Sequence, residues 1–352
     1  MTSSPTKHSR PRRRGIRILL AVVAAIAVAA LLLTGGYWYL RQQGRLSFLR
    51  RRGGIDSPSS AVSTDADDPD LITYQGKTYR YNENIVSLLF LGVDKKDVQA
   101  NEGYGKNGQA DSLFLAALDT GTGRVRIIPL TRESMVDVDL YTVEGNYAGT
   151  QKLQLCLAYA YGSTGEDCSR NVARSVSRLL YGIPVDAFVT IDLQGVQKLT
   201  DAVGGVSVEA LESFTTEGYT FQQGKSVTLR GAGAEAYIRY RTSTVDGNTK
   251  RMKRQQQFLS AFFNQAKTKL RSNITLIGSY YNVAKPYIVS DLTLPQITYL
   301  ATSGLAGGTG NSLEYIQIAG ETVQGAEFVE FYPDQSSAYE AVLAAFYTPV
   351  EQ

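Results

Sequence analysis

The stretch RYRTSTVDGNTKRMKRQQQF, Arg239 to Phe258, carries Arg239, Arg241, Lys250, Arg251, Lys253 and Arg254 against one acid, Asp246. From about Thr249 to Leu270 the spacing predicts a helix with Phe258, Leu259, Phe262, Phe263 and Ala266 as its buried stripe. Stepping back from Phe258 and Leu259 by three or four residues reaches Gln255, Arg254 and Arg251. Polar residues of the first turn therefore lie in line with the apolar face, where a purely solvated basic helix would not put them. Cations at a helix N-terminus oppose its dipole unless an anion sits there. Arginine offers always-charged, forked donors that match phosphate oxygens. A phosphate or pyrophosphate in a cleft is the ligand this pattern suits.

A second group lies upstream. IVSLLFLGV, 85–93, is an apolar run that reads as a strand buried on both faces, and it stops at Asp94. A polar, glycine-containing loop follows. Asp111 then opens SLFLAAL, DTGTG is a turn, and RVRIIPL returns to Thr131-Arg132. Two seven-residue strands joined by a tight turn make Asp111 and Arg132 neighbours at the open end of the hairpin. If the first strand joins the same sheet, Asp94 reaches that edge too. Two close carboxylates repel unless a cation lies between them, so Mg2+ is a natural occupant. The same residues would also make a plain ion pair at a sheet edge.

The elements that must position these groups alternate. Lys152–Tyr161 and a segment from Ser169 to Gly182 read as helices. On the latter, Arg170, Arg174 and Arg178 form what reads as a solvated face. Ala187–Leu193 and VSVEA read as strands, 194–203 as a helix, and AGAEAYIRYR as a short helix carrying Arg239 and Arg241. The pattern implies an α/β or α+β sandwich.

With 36 basic and 33 acidic residues the net charge is +3, which does not suggest a nucleic-acid binder. The only histidine is His8, so any outer domain lacks a Ser-His-Asp triad and a histidine-ligated zinc. Two cysteines exclude a four-cysteine metal site. Residues 1–17 form a basic tail. The uncharged run 18–40 is long enough for a transmembrane signal anchor, with Tyr37, Trp38 and Tyr39 at its distal end. Residues 41–73, rich in Gly, Ser, Pro and Asp past Gly53, read as a stalk, and 74–352 as one extracellular domain on the outer face of the cell membrane. Export makes a Cys156–Cys168 disulfide the expectation.

The chain resembles the LytR-CpsA-Psr family. The matching pieces are SLLFLGVD at 87–94, ADSLFLAALD at 110–119, IPLTRESM at 128–135, KLQLCLAYAYG at 152–162, GIPVDAFVTIDLQGVQKLTDAVGGVSVE at 182–209, and GAEAYIRYRT with RMKRQQQFL within 233–259. The resemblance implies an α/β fold, an α-β-α sandwich around a mixed central sheet, and a Mg2+-dependent phosphotransferase. Its substrate would be a glycopolymer, such as teichoic acid or capsule, carried on polyprenyl pyrophosphate in the membrane lipid, and its acceptor would be peptidoglycan. It implies Asp94 and Asp111 as metal ligands and Arg132, Arg239, Arg241, Arg251 and Gln255 on the pyrophosphate. The alternatives are a pyrophosphatase acting on the same lipid, or a non-catalytic envelope regulator that binds it. The chain departs from the family's pattern at Gln109, where arginine is frequent, at Glu133 for aspartate, at Asn248 for an acid, and at Lys250 for glycine. With no acid at 248, Asp246 or Asp97 is the candidate base.

Overall fold

The computed structural model describes residues 35–48, 63–65, 68–95, 97–100, 102–242, 247–308 and 313–350. Its centre is a six-stranded sheet: β1 (Ile85–Val93), β2 (Ala110–Asp119), β3 (Val125–Leu130), β4 (Ala187–Asp192), β5 (Ile288–Ser290) and β6 (Glu314–Tyr315). Across the sheet the order is β5-β4-β1-β2-β3-β6. The β1–β4 and β3–β6 pairs are parallel and the other three are antiparallel, so the sheet is mixed, as the family resemblance implies.

The period of two along β1 explains the layers. Ile85, Leu89, Leu91 and Val93 face one core, while Val86, Leu88 and the partly buried Phe90 face another. Among the helices, α1 spans residues 35–48, α2 Gly165–Leu179, α3 Leu193–Ala202, α4 Gly231–Arg239, α5 Gly247–Ser272, α6 Leu276–Ala284, α7 Leu294–Ala306 and α8 Gln335–Phe346. Val172 and Val176 of α2 and Val342 and Phe346 of α8 close the first face. Tyr299 and Leu300 of α7, with Leu259 and Phe263 of α5, cover the second. The result is an α-β-α sandwich.

Several boundaries differ from expectation, each for a local reason. Lys152–Gln154 ends a strand (Tyr147–Gln154) paired with Met135–Tyr141, and only Leu155–Tyr161 is helical, as a 3-10 turn. The helix expected from Ser169 begins at Gly165, because Thr164 caps it by accepting from Asp167 N–H. Helix α4 ends at Arg239, leaving Arg241 beyond it. Helix α5 starts at Gly247, whose added Cβ would lie 2.2 Å from the Thr242 carbonyl oxygen, so only glycine fits that approach.

Of the expected span 18–40, residues 18–34 lie outside the described residues and 35–40 begin α1. No described helix is long and apolar enough to cross a membrane. Within the expected stalk, residues 41–48 continue α1, Phe48 is buried against Tyr299, and Asp68–Tyr74 is a strand paired with Lys77–Tyr81.

Candidate functional site: an arginine cluster at the mouth of an apolar cavity

The C-terminal end of β1, the start of β2 and the end of β3 meet the last turn of α4 and the first turns of α5. Gly92 pairs with Ser112 and Val93 with Ala110, so Asp111 is the extra residue of a β-bulge. A bulge re-aims a side chain out of the regular ladder. Asp111 is thus directed at Arg132, whose Nη1 donates to its Oδ1. This is the neighbour relation that the hairpin count predicts.

Arg132 is tied down on three further sides. Its Nη2 donates to Gln109 Oε1 at 2.6 Å and to Cys156 Sγ at 3.6 Å, and its Nε lies 3.6 Å from Glu133 Oε1. Burial opposes its charge, yet Cys156, Asp111 and Glu133 together hold the guanidinium more firmly protonated than usual. Arg239 Nη2 donates to Asp94 Oδ2 at 2.9 Å and its Nη1 to Glu235 Oε1 at 2.9 Å. Glu235 is anchored in turn by Gln197 Nε2.

Arg251 is buried and its Nη2 donates to Asn248 Oδ1 at 2.7 Å. Burial lowers its affinity for the proton, and Arg132 and Arg241 add to that against Asp111 and Glu133. Gln255 links Ser112 Oγ at 3.3 Å to the Ile238 carbonyl at 3.4 Å. Arg241 is exposed two residues past α4. Two buried nitrogens, Arg132 Nε and Arg251 Nε, have no hydrogen-bond partner among the described residues. Unsatisfied buried guanidinium N–H groups cost free energy unless an acceptor arrives, so they mark an anion position.

Behind this cluster a cavity of about 390 Å³ runs between the sheet and α3, α5 and α6. Asp94, Asp111, Arg239, Arg251 and Gln255 line it beside Phe90, Val189, Ile191, Phe258 and Phe262. A recess of about 30 Å³ extends between Arg132, Asn248 and Arg251. On the other side of the stacked Phe90 and Phe114 rings, 5.1 Å apart, lies a second apolar cavity of about 270 Å³. The arrangement suits an amphiphile with an anionic head and an apolar tail.

All seven candidate residues converge here, with Arg241 at the rim. Arg254, in line with them on α5, belongs elsewhere. It is fully buried, donates to the Tyr237 carbonyl at 3.0 Å, also to Glu212 and the Tyr240 carbonyl, and lies under the rings of Phe214 and Tyr240. Of the two candidate bases, Asp246 lies outside the described residues. Asp97 is exposed and its carboxylate accepts from Gln99 N–H at 2.9 Å. Sequence reasoning missed Glu235, although its spacing four residues before Arg239 on a helix is a readable signal. It also missed the bulge at Asp111, for which no local signal exists.

Two expectations are corrected. The arginines of α2 are not simply solvated: Arg174 Nε and Arg178 Nη1 hold Asp139 at 3.0 and 2.7 Å, and only Arg170 pairs locally, with Glu166. Cys156 and Cys168 are not bridged; both are free and buried. The Cys156 thiol turns toward Arg132, while Cys168, on α2, packs into the core between that helix and the sheet. The two face different surroundings.

Fold and site together define a mixed α/β protein that presents arginines and two aspartates at the mouth of an apolar cavity. The family model LytR_cpsA_psr matches residues 55–343, and the chain belongs to the LytR-CpsA-Psr family. It is similar, at 26% identity over 328 residues and 92% of each chain, to the polyisoprenyl-teichoic acid–peptidoglycan teichoic acid transferase TagU of Oceanobacillus iheyensis. The fold matches that of TagV from B. subtilis with a TM-score of 0.60 at 22% identity, covering 75% of this chain and 96% of that one. It also matches TagT bound to LI-WTA, with a TM-score of 0.55 at 21% identity, covering 75% and 90%.

Proposed function

We propose that this protein is a cell-envelope phosphotransferase that moves a glycopolymer from a polyprenyl pyrophosphate carrier onto peptidoglycan. The observation that carries the reading is a pair of buried nitrogens without a hydrogen bond, Arg251 Nε at the 390 Å³ apolar cavity and Arg132 Nε at the recess beside it. Pyrophosphate oxygens satisfy those N–H groups, and the polyprenyl tail fills the cavity. The relatives' names supply the polymer class, teichoic acid, and the acceptor.

In the transfer an acceptor hydroxyl oxygen forms a new bond to the phosphorus carrying the sugar. The phosphoanhydride bond breaks, and polyprenyl monophosphate leaves with the electron pair. The hydroxyl proton passes to a carboxylate or to water. Arg132, Arg239, Arg241 and Arg251 spread positive charge over the oxygens on which negative charge develops, and Gln109, Glu235 and Asn248 keep Arg132, Arg239 and Arg251 in place. Gln255 holds the head group beside the Ile238 carbonyl.

Asp94 and Asp111 fit a Mg2+ ion. They are two hard oxygen donors on the same cavity wall, and each now faces an arginine that a bound pyrophosphate would draw away. No group of three His, Cys, Asp or Glu suited to a metal exists among the described residues, so phosphate oxygens and water would complete the shell, as is usual for Mg2+. When bound, the ion neutralises charge on the leaving group.

Residues 1–17 as a cytoplasmic tail, 18–40 as a single membrane span and the 74–352 domain outside would hold the cavity mouth near the lipid it draws from. Incubation of the purified chain with lipid-linked polymer and peptidoglycan fragments tests the function. Transfer of polymer to peptidoglycan supports it. Release of free polymer would make the protein a hydrolase, and binding without turnover would make it a lipid-binding regulator.

A further inference from the structure

Three residues at the floor of the anion site form a directed chain. Arg251 Nη2 donates to Asn248 Oδ1 at 2.7 Å, and Asn248 Nδ2 donates to Glu133 Oε2 at 2.8 Å. The other Glu133 oxygen, Oε1, lies 3.6 Å from Arg132 Nε. A guanidinium can only donate and an ionised carboxylate can only accept. The side chain between them must therefore do both, and the primary amide of Asn248 does. Glu133 is itself fixed: its side chain is 11% exposed, and its carbonyl accepts from Phe331 N–H at 2.9 Å, next to a bridge between Ser134 and Phe331. A strand remote in sequence thus holds the carboxylate under the arginines.

We propose that Glu133 is a positioning residue that orients Arg251 through Asn248, and that the neutral amide at 248 is required by the carboxylate beside it. Asn248 is then a relay, and an acid at this position is incompatible with Glu133. An aspartate at 248 would accept from Arg251 but would place two carboxylates within hydrogen-bond distance with no donor between them. It would also remove the local positive charge. The charged groups bearing on Arg251 are now Asp111 and Glu133 against Arg132 and Arg241. With Arg251 itself, that leaves one net positive charge to receive an anion, which a third carboxylate would cancel.

The consequence for ligand rests on the phosphotransfer reading; the coupling between the two positions does not. The test uses the full chain as wild type, E133Q, N248D and the exchanged double variant E133Q/N248D, with geranyl pyrophosphate and Mg2+ as probe at about pH 8. N248D is expected to weaken probe binding about tenfold or more, and E133Q by less. In the double variant the amide introduced at position 133 donates to the carboxylate introduced at position 248. That carboxylate accepts from Arg251 as well, and binding returns to within about threefold of wild type. The melting temperatures of the four proteins without ligand are expected to follow the same order, with the exchange recovering what N248D loses. Wild-type binding and stability in N248D, or a double variant no better than N248D alone, would overturn the proposal. Failure of the wild type to bind the probe counts against the phosphotransfer reading, and the melting temperatures then decide the coupling alone.

Discussion

Asp111 and Arg132, 21 residues apart in the chain, form an ion pair across the open end of the β2–β3 hairpin. The bulge at Asp111 turns its carboxylate to the cavity mouth, and Arg132 keeps one buried N–H, on Nε, without a hydrogen bond. The site is thus organised before any ligand enters. Arg251 is built the same way, with one guanidinium nitrogen held and one open. Loss of a buried hydrogen bond to a charged group costs about 1.5–3 kcal/mol. Arg251→Ala is therefore expected to weaken binding of a polyprenyl pyrophosphate by about tenfold or more. Arg170→Ala, at an exposed pair with Glu166, is expected to change it little. Equal losses in titrations of the two variants would show that the wrong surface has been identified.

Asp94→Ala and Asp111→Ala are each expected to abolish metal-dependent turnover while leaving the fold intact. Asp94 is half exposed, and after its loss Arg239 still has Glu235. After loss of Asp111, Arg132 still has Gln109 and Cys156. A chelator should reproduce the effect in wild type, and Mg2+ should reverse it. Full activity in both variants, measured beside their melting temperatures, would refute the metal assignment.

Strands β1 to β4 of the central sheet were legible in the sequence because an apolar run bounded by polar turns admits few other readings; Ile85–Val93 is found at the residues expected, whereas the short edge strands β5 and β6 were not read. The convergence of Asp94, Asp111 and Arg132 followed from counting strand lengths. What local pattern could not supply were contacts made at long range. The partner of Arg174 and Arg178 is Asp139, over thirty residues upstream on another element, so a polar helix face looked solvated. Arg254 and Arg251 share one stripe of α5, yet only tertiary packing sends the first under Phe214 and Tyr240 and the second to the cavity. The Glu133–Asn248 pair spans 115 residues and leaves no trace in either segment.

Asp139 gives a pH dependence separate from the site. It is buried, which raises its carboxyl pKa, but bonds from Arg178, Thr150 and Arg174 outweigh this and hold it below the ordinary value of 3.8. A depressed carboxylate contributes stability that is present above the unfolded value and is lost as pH falls through the folded one. Asp139→Asn is expected to lower stability at neutral pH by about 2 kcal/mol, because the two arginines are 42% exposed and water screens part of the attraction. Below 3.8 the gap between variant and wild type should close. Urea unfolding of both proteins from neutral to acid pH reads this directly. A gap that stays constant into the acid range would show that Asp139 is not ionised in the folded protein.

The two cysteines separate the structure from the expectation drawn from export alone. Cys156 is the second residue of the 3-10 turn after the Tyr147–Gln154 strand, and its thiol takes a long contact from Arg132 and makes another to Gln154 Oε1 at 3.8 Å. Cys168 is the fourth residue of α2 and belongs to the main core. Burial raises both thiols despite Arg132 beside the first, and Cys168 is pushed up to about 11. Raised thiols are protonated at neutral pH and are poor nucleophiles, and burial keeps reagents out. The native protein is therefore expected to take up little iodoacetamide. After denaturation without reductant, both residues are expected to alkylate, giving two adducts by intact mass. A sample that gains no adduct until a reductant is added would establish the disulfide and require the Leu155–Cys168 segment to rearrange.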